Sequence, residues 1–172
     1  MLNNNAFPII RGILVLFLNF INGDASMKYL HTMVRVRDLE TSMNFYCQQL
    51  GLQEIKRLEH KQGRFTLVFL AAPMDAEASR QNHAPLLELT YNWDDEVYND
   101  GRNFGHLAFE VEDIYKKCDE LENAGVIINR PPRDGYMAFI KSPDNISIEL
   151  LQKGNKLPID DKWSKEPNIG SW

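Results

Sequence analysis

The chain carries one motif twice, and this duplication limits what it can fold into more than any other feature. His31 begins the run His-Thr-Met-Val-Arg-Val-Arg-Asp-Leu, and His106 begins the run His-Leu-Ala-Phe-Glu-Val-Glu-Asp-Ile. The two runs are 75 residues apart (106 − 31). A repeat of that length is too long for a solenoid, so it predicts two copies of one structural module.

Each copy continues with an apolar stripe of helical spacing. The stripe consists of Leu39, Met43 and Tyr46 in the first copy and of Ile114, Cys118 and Leu121, again 75 positions later (114 − 39), in the second. Asp38 and Asp113 precede the stripes as candidate N-caps, and Gly51 and Gly125 follow them as stops. Each stripe therefore predicts one helix with a buried face.

The other periodic segments predict strands. The first copy has strands at 29–37, 53–59, 65–71 and 85–92 with a helix at 39–50, and the second has strands at 104–111, 126–129, 136–141 and 145–152 with a helix at 114–124. The polar segment from Pro73 to Pro85 predicts a loop. The predicted fold class is α+β, with two tandem βαβββ modules that have curved mixed sheets. The modules comprise residues 27–93 and 103–153, and together they form one domain at 27–153. Residues 154–172 are predicted to be a loosely held polar tail.

The N-terminal segment allows two interpretations. Residues 12–21 form an apolar run of about ten residues, which is too short to span a bilayer. With Arg11 before it and Gly23-Asp24-Ala25 after it, the run resembles a signal peptide, which would place the protein in the periplasm or outside the cell. The alternative is that translation starts at Met27 and that residues 1–26 are a misassigned start. This interpretation is slightly favoured because the repeat needs no residue before Met27, and it predicts a cytoplasmic protein.

Composition excludes some classes of function. The formal net charge is −5 and Lys and Arg are not clustered, so a nucleic-acid partner is not expected. Cys47 and Cys118 are the only cysteines. Two cysteines are too few for a disulfide framework, and we expect both to be reduced.

Four side chains carry the candidate chemistry: His31 and Glu88 in the first copy, His106 and Glu149 in the second. Side chains alternate along a strand, so each of the four points away from the apolar face of its strand. A single His or Glu on a strand is usually a solvated surface residue. Two of each, repeated on one predicted face, predict a site with two imidazole and two carboxylate ligands when the copies face each other. Such a set suits a divalent first-row metal such as Ni, Co, Zn, Mn or Fe.

Four strings resemble a known family. They are Leu-His-Thr-Met-Val-Arg-Val-Arg-Asp-Leu-Glu-Thr-Ser-Met-Asn-Phe-Tyr (30–46), Glu-Leu-Thr-Tyr-Asn-Trp (88–93), Phe-Gly-His-Leu-Ala-Phe (104–109) and Ser-Pro-Asp-Asn-Ile-Ser-Ile-Glu-Leu (142–150). They resemble glyoxalase I, or lactoylglutathione lyase, of the vicinal oxygen chelate superfamily. The second string is specific to glyoxalase I within that superfamily, and the resemblance covers Met27 to about Lys153.

The resemblance implies a ligand set and a binding surface. It makes His31, Glu88, His106 and Glu149 the metal ligands, in a site shared by the two subunits of a homodimer. Arg35, Asn92 and Arg102 match positions that hold glutathione. The short stretch between Glu88 and His106 favours nickel or cobalt, with zinc possible. Arg133 is the candidate for a carboxylate contact that a lysine makes in the family.

The implied reaction converts the hemithioacetal of methylglyoxal and glutathione to S-lactoylglutathione. A proton moves through an enediolate stabilised by the metal, with Glu149 as the main base and Glu88 as its counterpart. Rival readings are another enzyme of the superfamily, such as a CoA-thioester epimerase, and a metal-free protein that sequesters ligands. An iron dioxygenase needs only one carboxylate ligand and is disfavoured. The sequestering protein needs none of the four residues, so their joint presence argues against it.

Overall fold

The computed structural model describes residues 28–99, 101 and 104–171. The interpretations of residues 1–26 lie outside the described residues. Within them, no helix combines the length and the apolar character needed to cross a membrane.

The first module is a mixed four-stranded sheet with helices. Its elements are β1 (His31–Val36), α1 (Leu39–Met43), a π-helical segment (Asn44–Gln49), β2 (Gln53–His60), β3 (Phe65–Ala71), α2 (Ala76–Asn82) and β4 (Leu86–Asn92). The strand order is β1-β4-β3-β2. β1 runs parallel to β4, and the other neighbours are antiparallel.

The second module repeats this topology. Its elements are β5 (Leu107–Val111), α3 (Ile114–Asn123), β6 (Ile128–Arg130), β7 (Met137–Lys141) and β8 (Ser147–Gln152). The strand order is β5-β8-β7-β6, with β5 parallel to β8. The predicted α+β class with two tandem βαβββ modules is therefore confirmed.

The helices begin and end where the sequence predicts. Asp38 Oδ1 accepts a hydrogen bond from the backbone N–H of Thr41 (2.6 Å), and Asp113 Oδ1 accepts one from that of Lys116 (3.0 Å). Hydrogen bonds from Thr41 lower the pKa of Asp38, since they stabilise the carboxylate. Gly51 has φ +90° after the first helix, a left-handed conformation that favours glycine.

Both modules contribute to one hydrophobic core. The buried faces of the sheets meet the stripes of α1 and α3, and the core includes Val36, Tyr46 and Leu89 from the first module and Ile114, Leu121 and Ile148 from the second. Cys118 is buried in this core, and burial raises the pKa of its thiol to about 12. Both cysteines are free thiols, as predicted.

The prediction of a loop from Pro73 to Pro85 is wrong for the middle of this segment, which is helical. Residues 76–82 form α2, whose Ala76 and Ser79 are buried. Ser79 Oγ donates to the carbonyl oxygen of Pro85 (2.8 Å). The seven-residue helix is polar apart from its alanines, so only packing distinguishes it from a loop.

The prediction of a loosely held tail is also wrong. Trp163 lies in a short 3₁₀ helix (Trp163–Lys165) and is only 2% exposed in the core. Lys162 forms ion pairs of 2.7 Å with both Asp119 and Glu122 on α3. One buried aromatic side chain thus anchors a polar segment to the second module.

Candidate metal centre

The first sheet brings His31 and Glu88 together. His31 begins β1, and Glu88 lies on the neighbouring strand β4, opposite Met33. His31 Nε2 is 3.1 Å from Glu88 Oε2. Because side chains alternate along a strand, both point away from the face that buries Val34 and Val36.

The second sheet repeats this pair. His106 immediately precedes β5, Glu149 lies on β8, and His106 Nε2 is 3.1 Å from Glu149 Oε2. The side chains of Glu88 and Glu149 are 12% and 15% exposed, whereas those of His31 and His106 are 39% and 43% exposed. In both modules, then, a mostly covered carboxylate meets a more open imidazole.

An aromatic ring stands beside each pair, which the sequence analysis missed. The ring of His31 meets Phe69 edge to face with centroids 5.9 Å apart, and His106 meets Phe139 at 5.5 Å. Phe69 lies opposite Glu88 on β3, and Phe139 lies opposite Glu149 on β7. Only the antiparallel register reveals these neighbours. The rings place apolar surface against each imidazole and restrict its orientation.

The geometry of each pair fits a metal. Two ligand atoms about 2.1 Å from a divalent ion, at right angles around it, are about 3 Å apart. The nitrogen and oxygen atoms of both pairs have that separation. Imidazole nitrogen with carboxylate oxygen suits divalent first-row metals.

The four predicted ligands do not meet within one chain. Among residues 28–99, 101 and 104–171, no group of three or more His, Cys, Asp or Glu side chains could hold a metal. One chain therefore provides two half-sites of equal geometry. A site with all four predicted ligands would need half-sites from two chains.

One hydrogen bond distinguishes the two carboxylates. Thr90 Oγ1 donates to Glu88 Oε1 at 3.2 Å, and both side chains are largely buried. Two residues after Glu149 stands Leu151, which has no hydrogen-bonding side chain. Glu88 Oε1, the oxygen that is not paired with His31, therefore has a hydrogen-bond donor beside it. Leu151 provides no such donor to Glu149.

The far end of the first sheet is polar. Arg35 and Asn92 share the face of His31 and Glu88, as their strand positions predict. Asn92 Nδ2 donates to Glu96 Oε2 at 2.5 Å and lies 3.4 Å from the hydroxyl of Tyr98. Sequence reasoning missed Glu96 and Tyr98, which follow the strand in an irregular segment. The prediction for Arg102 lies outside the described residues.

The structure places Arg133 against the C-terminal segment. Its guanidinium donates to the carbonyl oxygen of Glu166 (2.8 Å) and to Asn168 Oδ1 (2.7 Å). Arg133 thus holds the C-terminal segment, which the sequence analysis had treated as loose.

Comparisons with known proteins agree on one family. Residues 28–150 match the family Glyoxalase, described as the Glyoxalase/Bleomycin resistance protein/Dioxygenase superfamily. A probable lactoylglutathione lyase of Synechocystis sp. is 38% identical over 135 residues, which cover 76% of this chain and 98% of that protein. The lactoylglutathione lyase of Neisseria meningitidis is 39% identical over 132 residues, covering 74% and 91%.

The fold matches a solved structure of the same kind. Glyoxalase I of Leishmania major, described as trypanothione-dependent, is 35% identical with a TM-score of 0.66, over 74% of this chain and 88% of that one. The region that matches the family, residues 28–150, includes most of both modules and both His–Glu pairs. The chain therefore belongs to the glyoxalase superfamily and, within it, to the lactoylglutathione lyases, also named glyoxalase I.

Proposed function

We propose that this chain is a metal-dependent lactoylglutathione lyase that converts the methylglyoxal–glutathione hemithioacetal to S-lactoylglutathione. The observation that carries the proposal is the pair of His–Glu half-sites with the same 3.1 Å separation in each module. Relatives named lactoylglutathione lyase, almost fully covered by this chain, support the same reaction.

His31 and Glu88 from one half-site and His106 and Glu149 from another would hold the metal. When bound, a divalent metal acts as a Lewis acid that stabilises the negative charge of an enediolate. The short segment from Glu88 to His106 supports nickel or cobalt rather than zinc. In this proposal the half-sites come from different subunits of a homodimer, because one chain keeps them apart.

The substrate fits along the first sheet. Asn92 lies four residues beyond Glu88 on β4, which corresponds to about 13 Å along a strand. Three residues of extended peptide span roughly 10–11 Å, which is of the same order as this distance, so a tripeptide thiol whose sulfur lies near the His31–Glu88 pair extends toward the polar end without spanning the whole distance. Arg35 and Asn92 hold the γ-glutamyl end of glutathione there, and Arg102 is a further glutathione contact by resemblance to the family.

The reaction needs one base that removes a proton and returns it. Glu149 takes the proton from C1, the carbon that carries the sulfur and the hydroxyl group, and the electrons of that C–H bond form the enediolate. Protonation of C2, together with transfer of the hydroxyl proton from the oxygen on C1 to the oxygen on C2, then gives the thioester. No oxidant or reductant is required, and proton transfer by a positioned carboxylate is ordinary acid–base catalysis.

The different surroundings of the two carboxylates support this division of roles. Thr90 holds one oxygen of Glu88, which favours a fixed ligand. Leu151 leaves Glu149 without an equivalent restraint, which favours a carboxylate that can turn toward the substrate. Glu88 is accordingly the symmetry-related counterpart and Glu149 the main base.

A metal-restoration assay tests the proposal. The protein is stripped of metal, given methylglyoxal and glutathione, and followed for thioester formation after addition of nickel, cobalt, zinc or buffer alone. We expect no turnover in buffer and the highest turnover with nickel or cobalt. A folded protein that binds metal but forms no thioester would support the CoA-thioester epimerase instead, and one that binds no metal would support a sequestering protein.

Glutathione is a thiol of reducing compartments, and both cysteines here are free. We place the enzyme in the cytoplasm on this basis. Fractionation of cells that express the full chain tests the location, and recovery in a periplasmic fraction would contradict it.

A further inference from the structure

We propose that Glu96 binds the α-ammonium group of the substrate thiol and thereby selects for an α-amino-acid terminus. The inference rests on the proposed function and deepens it. With Arg35 on the same face, Glu96 makes the polar end of the first sheet a site for a zwitterion rather than for an anion alone.

The structure directs Glu96 to the predicted binding surface. Its Oε2 accepts a hydrogen bond of 2.5 Å from Asn92 Nδ2, so the carboxylate lies against the amide assigned to glutathione. Glu96 is exposed, so its carboxylate is accessible to a ligand. A carboxylate accepts several hydrogen bonds, so the contact with Asn92 leaves it able to bind a cation.

The charges of Glu96 and Arg35 both affect the hydroxyl group of Tyr98. Burial and then the charge of Glu96 raise the pKa of Tyr98, whereas the charge of Arg35 opposes that rise. The Tyr98 hydroxyl therefore lies within electrostatic range of Glu96 and of Arg35. A cation on β1, opposite Thr90, and an anion in contact with Asn92 thus lie at the same end of the sheet.

This arrangement matches the chemistry of an amino-acid terminus. A γ-glutamyl group carries its carboxylate and its ammonium on one carbon atom. Arg35 offers a planar guanidinium for the carboxylate, and Glu96 offers an acceptor for the ammonium. Consider a thiol that has the carboxylate but lacks the ammonium group. Its carboxylate then lies near the negative charge of Glu96 with no positive charge of its own, which weakens binding of that thiol.

The test compares two ligands that differ only in the amino group: S-methylglutathione and its γ-glutaryl analogue, in which hydrogen replaces the α-amino group. Binding to the full-length, metal-loaded protein is measured by calorimetry, and kcat/KM is measured with the hemithioacetals of the two parent thiols. The variant is Glu96→Gln, whose amide oxygen still accepts the hydrogen bond from Asn92. Asp95→Asn removes the same charge at the adjacent exposed position and is the matched control.

We expect the native protein and Asp95→Asn to prefer the amino-bearing ligand by about tenfold, and Glu96→Gln to prefer it by less than about twofold. Equal affinity of the native protein for both ligands would overturn the inference. So would an equal weakening of both ligands by Glu96→Gln, because Glu96 would then only position Asn92.

The two proposals fail in different ways. If the native protein turns over both hemithioacetals at similar kcat/KM, the selective role of Glu96 is wrong and the lyase activity stands. If it turns over neither with any metal, the proposed function is wrong, and the inference falls with it.

Discussion

At the scale of the residue, the site is built from two chemically equal pairs whose neighbours differ. His31–Glu88 and His106–Glu149 have the same separation, and each imidazole meets a phenylalanine edge. The difference is Thr90, which donates a hydrogen bond to Glu88. The matching position of the second module is Leu151, which has no donor. In the proposed mechanism, this difference makes Glu88 a fixed ligand and Glu149 a carboxylate that can turn toward the substrate.

The role of Glu149 predicts the effect of removing its charge. Glu149→Gln keeps an oxygen that can bind metal but loses the base, so we expect kcat to fall by at least about 100-fold with metal still bound. Turnover is followed by thioester absorbance and metal content by elemental analysis. A variant that retains full activity would contradict the assignment.

The role of Thr90 predicts an effect on metal affinity. Thr90→Val keeps the shape but removes the donor to Glu88 Oε1, so metal affinity should fall by about 10- to 100-fold. Competition with a chelator measures the affinity. Leu151→Val alters the matching position of the second module and should leave affinity within about twofold, since that position provides no donor. Equal effects of the two substitutions would show that the hydrogen bond has no special role.

At the scale of the element, packing decides what local sequence leaves open. The C-terminal segment contains one apolar anchor, Trp163, among polar residues, and its burial turns a predicted loose tail into part of the second module. Backbone hydrogen bonds extend the attachment, since the N–H of Ile169 donates to the carbonyl oxygen of Asn129 (2.8 Å). This bond covers part of β6, one of the two edge strands of its sheet, and so makes that edge less available for pairing with another chain.

The attachment predicts a large loss of stability on truncating its anchor. Trp163→Ala should lower the free energy of unfolding by about 3–5 kcal/mol, because a buried indole is replaced by a cavity. Urea denaturation followed by circular dichroism measures the change. Ile159→Ala, in the same segment but with its side chain 63% exposed, should cost less than about 0.5 kcal/mol. Similar small losses in both variants would mean that the tail is not part of the core.

The sequence predicted the elements that depend on periodicity and missed those that depend on register or packing. Strand alternation placed His31 and Glu149 on the correct faces, and the caps bounded α1 and α3. Phe69 could not be found, because only the pairing of β3 with β4 brings it beside Glu88. The short polar helix α2 and the buried Trp163 owe their structure to tertiary contacts, for which local propensity gives no signal.

At the scale of the whole molecule, the central claim is that each complete site takes one half-site from each of two chains. The described part of one chain keeps the His31–Glu88 pair and the His106–Glu149 pair apart, so a monomer offers only incomplete sites. A closed two-fold dimer would create two equivalent complete sites. Catalysis would then require dimerisation, and substitutions in different subunits would affect different sites.

The most direct test combines two defective chains in one dimer. Chains with different affinity tags are co-expressed and purified through both tags, and kcat per dimer is measured with the metal-loaded protein. A dimer of one His31→Ala chain and one His106→Ala chain has one intact shared site, so we expect about half of the native activity, although each homodimer is inactive. In the matched control, one chain carries both substitutions and its partner is native; both shared sites are then damaged, and we expect almost no activity. The reverse pattern, with the first dimer inactive and the control at half activity, would place each complete site within one chain and contradict the account.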